Sequence, residues 1–163
     1  MHTEPRNIPL QHTAVVKAVL RREQLGSWFS GAIDRVADRL DRIGIAPCGL
    51  PFARYHLRPD HMFEVEAGFP VAAPITGDGE VRPSTLPGGS VVVAWHIGPY
   101  DRLGEAYEAV DEWLTNERGV RTGDAWEVYH DPPTGDPHLW RTEVVQPFTP
   151  ATSEATRTGG STR

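Results

Sequence analysis

The sequence predicts an α+β fold in which two βαββ units, arranged in tandem, form a mostly antiparallel sheet with two main helices and a central pocket. Three observations predict it. Two amphipathic stripes with helical spacing interrupt otherwise strand-like sequence. The order strand, helix, strand, strand occurs twice. Short segments of the first half can also be laid on the second at a nearly constant offset.

The first predicted strand covers 13–21. The first helix follows over 26–43, where Trp28, Phe29, Ala32, Ile33, Val36, Ala37, Leu40 and Ile43 recur every three or four residues. Asp34, Arg35, Asp38, Arg39, Asp41 and Arg42 fill its other face, and Gly44 with Pro47 ends it. Strands are predicted at 51–58 and 62–71, rich in Phe, Tyr and Val between Pro/Gly clusters. In the second unit a strand at 89–97 precedes a helix at 100–117. That helix is striped by Leu103, Ala106, Tyr107, Val110, Trp113 and Leu114 after Gly98-Pro99. Strands at 125–131 and 139–147 complete the unit.

Ala14–Val19 aligns with Ser90–Trp95 at an offset of 76 residues, Tyr55–Pro59 with Tyr129–Pro133 at 74, and Glu66–Pro70 with Glu143–Pro147 at 77. The pseudo-repeats are read as 12–73 and 89–148, within a domain of 12–148, joined by a Gly/Pro-rich linker from Pro74 to Gly89. Two such copies generate a pseudo-two-fold axis, and clefts between units are preferred ligand locations. Residues 1–11 and 149–163 have little to bury and are expected to be disordered tails.

Composition narrows the function. The 163 residues carry 22 acidic and 16 basic side chains, for a net charge of -6, which argues against a nucleic-acid backbone or an anionic membrane as partner. Cys48 stands alone, so no intramolecular disulfide or cysteine-based zinc site can form. His56, His61, His96, His130 and His138 lack metal-ligand spacing. No phosphate-binding or dinucleotide fingerprint occurs, so no metal or cofactor is expected. With no signal peptide and no membrane-length apolar run, a cytoplasmic protein is expected.

A family resemblance rests on the second half. The run Leu86-Pro87-Gly88-Gly89-Ser90-Val91, then His96-x-Gly98-Pro99-Tyr100-x-x-Leu103, Ala106-Tyr107-x-Ala109 and Trp113-Leu114 resembles the GyrI-like family. So do Trp126-Glu127-x-Tyr129, Asp131-Pro132 and Trp140-x-Thr142-Glu143-Val144 with Pro147, and, in the first half, Phe63 to Val71. The family includes the effector-binding domains of AraC-type and MerR-type multidrug-sensing regulators. With no helix-turn-helix segment ahead of it, the chain looks like a sensor domain standing alone.

The resemblance implies a pocket whose floor carries the glutamate of the Thr-Glu-Val strand, here Glu143. The alternative for that residue is an ion pair with Arg141 or Arg54. The ligand-binding candidates are Glu143, its repeat mate Glu66, and the rings of Tyr55, Tyr129, Trp95, Tyr107, Trp126 and Trp140. Aromatic walls stack on planar ligands and hold cations. The expected function is capture of an amphipathic, aromatic or cationic small molecule for drug or toxin sensing or sequestration. The resemblance implies two further readings. One is hydrolysis of cyclopropanoid DNA-alkylating antibiotics, with Glu143 as the catalytic base and antibiotic resistance as the consequence. The other is a protein partner, with the acidic chain inhibiting DNA gyrase.

Overall fold

In the computed structural model, which describes residues 2–151, both apolar stripes form helices. Helix α1 (Leu25–Arg42) buries Ala32, Val36 and Leu40, and α2 (Gly104–Glu117) buries Ala106, Val110 and Leu114. Each stops where its sequence predicts. Gly44 turns the chain at φ 71° after α1. After α2, Arg118 adopts a left-handed conformation and the Gly119 amide closes on the Leu114 carbonyl at 2.9 Å.

Nine strands surround these helices: β1 (His2–Ile8), β2 (Gln11–Leu20), β3 (Phe52–Leu57), β4 (Phe63–Pro70), β5 (Arg82–Leu86), β6 (Gly89–Ile97), β7 (Val120–Arg121), β8 (Trp126–Tyr129) and β9 (Arg141–Thr149). The main sheet runs β1-β6-β9-β8-β3-β4-β2-β5, with β7 paired to β9 off this path. Every pairing is antiparallel. The order reads the same from both ends once β1 is matched with β5, β6 with β2, β9 with β4 and β8 with β3. The duplication therefore has a pseudo-axis between β8 and β3, which meet over Phe52–Arg54 and Trp126–Val128.

The structure corrects two boundary readings. Residues 2–8, expected to be part of a disordered tail, form β1 against β6. Residues 82–86, expected to be linker, form β5 against β2. The two corrections are one correction made twice, because β1 and β5 occupy equivalent places. Arg6 pairs with Val91 and Arg82 with Val15, residues one offset of 76 apart. Each unit lends its first strand to the other unit's sheet. Both strands lie at an edge, where Pro5 and Pro83 are tolerated, and neither shows an apolar run. The expected tail at 149–163 begins inside β9 at Thr149, and its remainder beyond Ala151 lies outside the described residues.

Period-two alternation divides the sheet into two faces. The helix face presents Ala14, Val16, Ala53, Ala67 and Tyr129 to α1, and Val92, Ala94, Val144 and Phe148 to α2. The opposite, open face gathers Val15, Phe52, Val91, Val93, Trp126 and Val145 along the inside of the curl. Among the described residues no helix is long and apolar enough to cross a membrane.

Candidate functional site

Strand β8 lies at the pseudo-axis, and Glu127 on it points to the helix face, opposite Ala53 of β3 and Val144 of β9. Glu127 is 8% exposed. Tyr107 of α2 donates its hydroxyl to one carboxylate oxygen at 2.6 Å, and Tyr129 donates to the other at 2.6 Å. The Tyr55 hydroxyl lies 3.0 Å from that of Tyr129. With Glu127 ionised, Tyr129 spends its proton on the carboxylate, so Tyr55 donates to Tyr129. Three phenols from β3, α2 and β8 thus converge on one carboxylate between the two units.

Further rings enclose the group. Phe29 of α1 meets the Tyr129 ring edge-on at 4.8 Å, and Tyr100 meets it at 5.6 Å. Tyr100 in turn packs on Trp140 at 4.8 Å. A continuous run of rings leads from Trp140, just ahead of β9, through Tyr100 and Tyr129 to the buried carboxylate.

Electrostatics follow from this burial. Desolvation raises the Glu127 pKa, opposed by the hydrogen bonds from Tyr107 and Tyr129. Desolvation first, and then the Glu127 charge, push Tyr55, Tyr107 and Tyr129 upward, so all three remain protonated donors. Among the described residues no cation pairs with Glu127. A carboxylate met by neutral donors is solvated in place yet keeps its charge, which is the arrangement that attracts a cation.

The sequence-predicted residues divide between the faces. Tyr55, Tyr107 and Tyr129 converge on Glu127, and Trp140 reaches the cluster through Tyr100. Glu143, Trp95, Trp126 and Glu66 lie on the open face. Their strand neighbours in each case face the helices. Glu143 accepts from Arg6 at 3.1 Å and lies 3.0 Å from His130 Nε2, beside Trp95. It is ion-paired, although with neither arginine considered from sequence. Arg141 is taken by Asp131 at 3.0 Å, and the Arg54 guanidinium lies over Trp126 at 5.6 Å. Arg6 was invisible as a partner because it belongs to the strand read as tail.

Glu127 and Tyr100 stand in the family motifs and Phe29 on the first helix stripe, but none of the three is among the site residues expected from the sequence. One signal was available for Glu127: alternation puts it on the same face as Tyr129, two residues on.

Residues 6–148 match the GyrI-like small molecule binding domain family. No curated protein sequence matches the chain. Solved structures share the fold at low identity. The C-terminal domain of EcmrR is 20% identical with a TM-score of 0.74, over 92% of this chain and 98% of that domain. In the EcmrR–DNA complex the values are 19% and 0.78, over 92% of this chain, which spans 58% of that protein. A hydrolase from Listeria innocua is 12% identical with a TM-score of 0.64, over 90% of this chain and 91% of the other. SAV2435 bound to tetraphenylphosphonium is 12% identical with a TM-score of 0.63, over 91% and 94%.

Proposed function

The chain belongs to the GyrI-like small molecule binding domain family, and on that footing we propose that it captures an amphipathic aromatic cation at the Glu127–tyrosine cluster between helices and sheet, once the packed rings open. Glu127 supplies the counter-charge. Tyr55, Tyr100, Tyr107 and Tyr129 supply walls whose ring faces favour a cation and whose edges pack on planar groups. Drug or toxin sensing, or sequestration, is the role such capture serves.

One observation carries this reading: the buried Glu127 carboxylate is held by two phenol hydroxyls at 2.6 Å and by no cation among the described residues. The Glu143 assignment gives way to it, because Arg6 already occupies Glu143. Entry requires Phe29 or Tyr100 to swing from the Tyr129 ring, since both rings pack on it.

Hydrolysis is the second reading, and burial of Glu127 favours it, because desolvation raises its pKa and a more basic carboxylate is a better proton acceptor. Capture is preferred because aromatic rings enclose the carboxylate, and among the described residues no histidine or second carboxylate contacts it to relay a proton. The test is calorimetric titration with tetraphenylphosphonium. Wild type is expected to bind, and Glu127→Gln to bind at least about tenfold more weakly. Equal affinity in the two proteins would overturn the assignment. Mass spectrometry of a cyclopropane-bearing aromatic after incubation separates the readings. An unchanged mass favours capture, and a gain of one water favours hydrolysis.

A further inference from the structure

The open face of the sheet carries a cavity of about 550 Å³ between β2, β4 and β3, bordered by Lys17, Val19, Arg54, His56, Glu66 and Asp124. It lies across the sheet from the Glu127 carboxylate, and its physical origin is a difference between the two repeats. At the opposite end of this face the equivalent space is filled from within. There Trp95 packs on His130 at 4.7 Å, and Glu143 holds the Arg6 guanidinium at 3.1 Å.

The residues at matching positions are Val19 for Trp95, His56 for His130, Glu66 for Glu143 and Arg82 for Arg6, at offsets of 76, 74, 77 and 76. Two of these leave the cavity unfilled. Val19 has no ring to lay against His56. Arg82 turns away, donating to the Gly79 carbonyl at 3.4 Å, so no guanidinium reaches Glu66. Glu66 instead has the Ser84 hydroxyl at 3.3 Å and the Lys17 ammonium at a loose 3.8 Å. His56, without a ring beside it, faces Asp124 at 3.0 Å.

Arg54 adds what the filled end lacks. Its Nε donates to the Asp124 carbonyl at 3.2 Å and its plane lies over Trp126 at 5.6 Å, so its position is fixed. Among the described residues neither Nη atom has a protein acceptor. The matching residue in the second repeat is the apolar Val128. The cavity therefore offers a carboxylate short of a guanidinium next to a guanidinium short of a carboxylate.

We propose that this cavity is a second binding site, for a small zwitterion bearing a guanidinium group and a carboxylate. Its guanidinium takes on Glu66 the place that Arg6 takes on Glu143. Its carboxylate meets the Nη atoms of Arg54, with Lys17 alongside, and its alkyl body lies over Val19. A planar fork on each side suits bidentate pairing, which a simple ammonium or halide does not reproduce. Tyr55 borders both the cavity and the Glu127 cluster, but no contact proposed here uses its side chain, so the site does not rest on the Glu127 reading.

The experiment titrates isotope-labelled protein with L-arginine and, in parallel, agmatine, following backbone amides by NMR. Expected are saturable shifts centred on Lys17, Val19, Arg54 and Glu66, with agmatine at least about tenfold weaker because it lacks the carboxylate. Val19→Trp copies the filled end and is expected to abolish saturation. Glu66→Gln, which keeps the side-chain shape, is expected to weaken L-arginine at least about tenfold, and it decides the matter if Val19→Trp does not fold. The proposal is overturned if L-arginine shows no saturable shifts or shifts centred elsewhere. It is equally overturned if agmatine binds as well as L-arginine, or if Glu66→Gln binds it as wild type does.

Discussion

Glu127 and Glu143 stand on adjacent strands and are buried alike, at 8% and 9% exposure, yet their partners differ in kind. Two neutral phenols meet Glu127, whereas Arg6 and His130 meet Glu143. Tyrosines cover the desolvation of a carboxylate without cancelling its charge, and a guanidinium does both. The first arrangement leaves a place for a cation brought by a ligand. The second closes the account internally and ties an edge strand to the sheet.

The largest expected effect tests which carboxylate faces the ligand. Glu127→Gln should weaken tetraphenylphosphonium by about 1.4–3 kcal/mol, the order of a coulombic attraction lost between a bound cation and a partly desolvated carboxylate. Glu143→Gln should leave that affinity within about twofold, because it lies across the sheet. Isothermal titration of the three proteins reads this directly. A loss confined to Glu143→Gln would reverse the comparison.

The next effect is on stability and runs the other way. Arg6→Ala leaves Glu143 buried beside His130 alone and removes the side chain that ties β1 to β9. A buried pair broken on one side costs about 3–5 kcal/mol. Arg6 is about a third exposed, its side chain at 37%, so water screens part of this and about 1–2 kcal/mol is expected by urea denaturation. Amides of β1 should exchange faster than those of β9. At neutral pH Glu127→Gln should instead hold or gain stability, because it removes a buried charge that no cation balances. Equal losses in Arg6→Ala and Glu127→Gln would show that phenols and guanidinium do the same work.

How much of this was legible in the sequence depended on side-chain periodicity. Both helices and the six principal strands announced themselves through apolar spacing, and the repeat offsets gave the pseudo-axis. Strands β1 and β5 did not, since edge strands are held by backbone pairing that leaves no apolar signature around Pro5 or Pro83. That omission propagated to the site. Without β1 there was no Arg6 to neutralise Glu143, which therefore looked like the free carboxylate. Tyr55, Tyr107 and Tyr129 were legible because two occupy duplicated positions and one lies on a helix stripe. The Glu127 repeat mate is Ala53, also 74 residues away, so duplication drew no attention to it. The carboxylate is therefore a feature of the cluster that the repeats do not share.

The smallest expected effect is the pH dependence that the comparison implies. Burial raises the Glu127 pKa above its ordinary value of 4.5 in the folded chain. Folding thus favours the protonated form. The corresponding stability is fully present below 4.5 and is lost as pH rises through the higher folded value. Glu127→Gln cannot titrate there, so the difference between the variant and wild type should grow in the variant's favour as pH rises above 4.5. It should level off once the folded carboxyl is ionised. The hydrogen bonds from Tyr107 and Tyr129 favour the ionised form and keep the change modest. A bound cation also favours the ionised form, so tetraphenylphosphonium should tighten over the window in which stability declines, releasing a proton as it binds. Urea denaturation of both proteins at several pH values, with titrations in two buffers of different ionisation enthalpy, measures both halves of this linkage. Parallel stability curves for wild type and Glu127→Gln would mean that Glu127 does not titrate differently on folding, and the distinction between the two glutamates would lose its electrostatic basis.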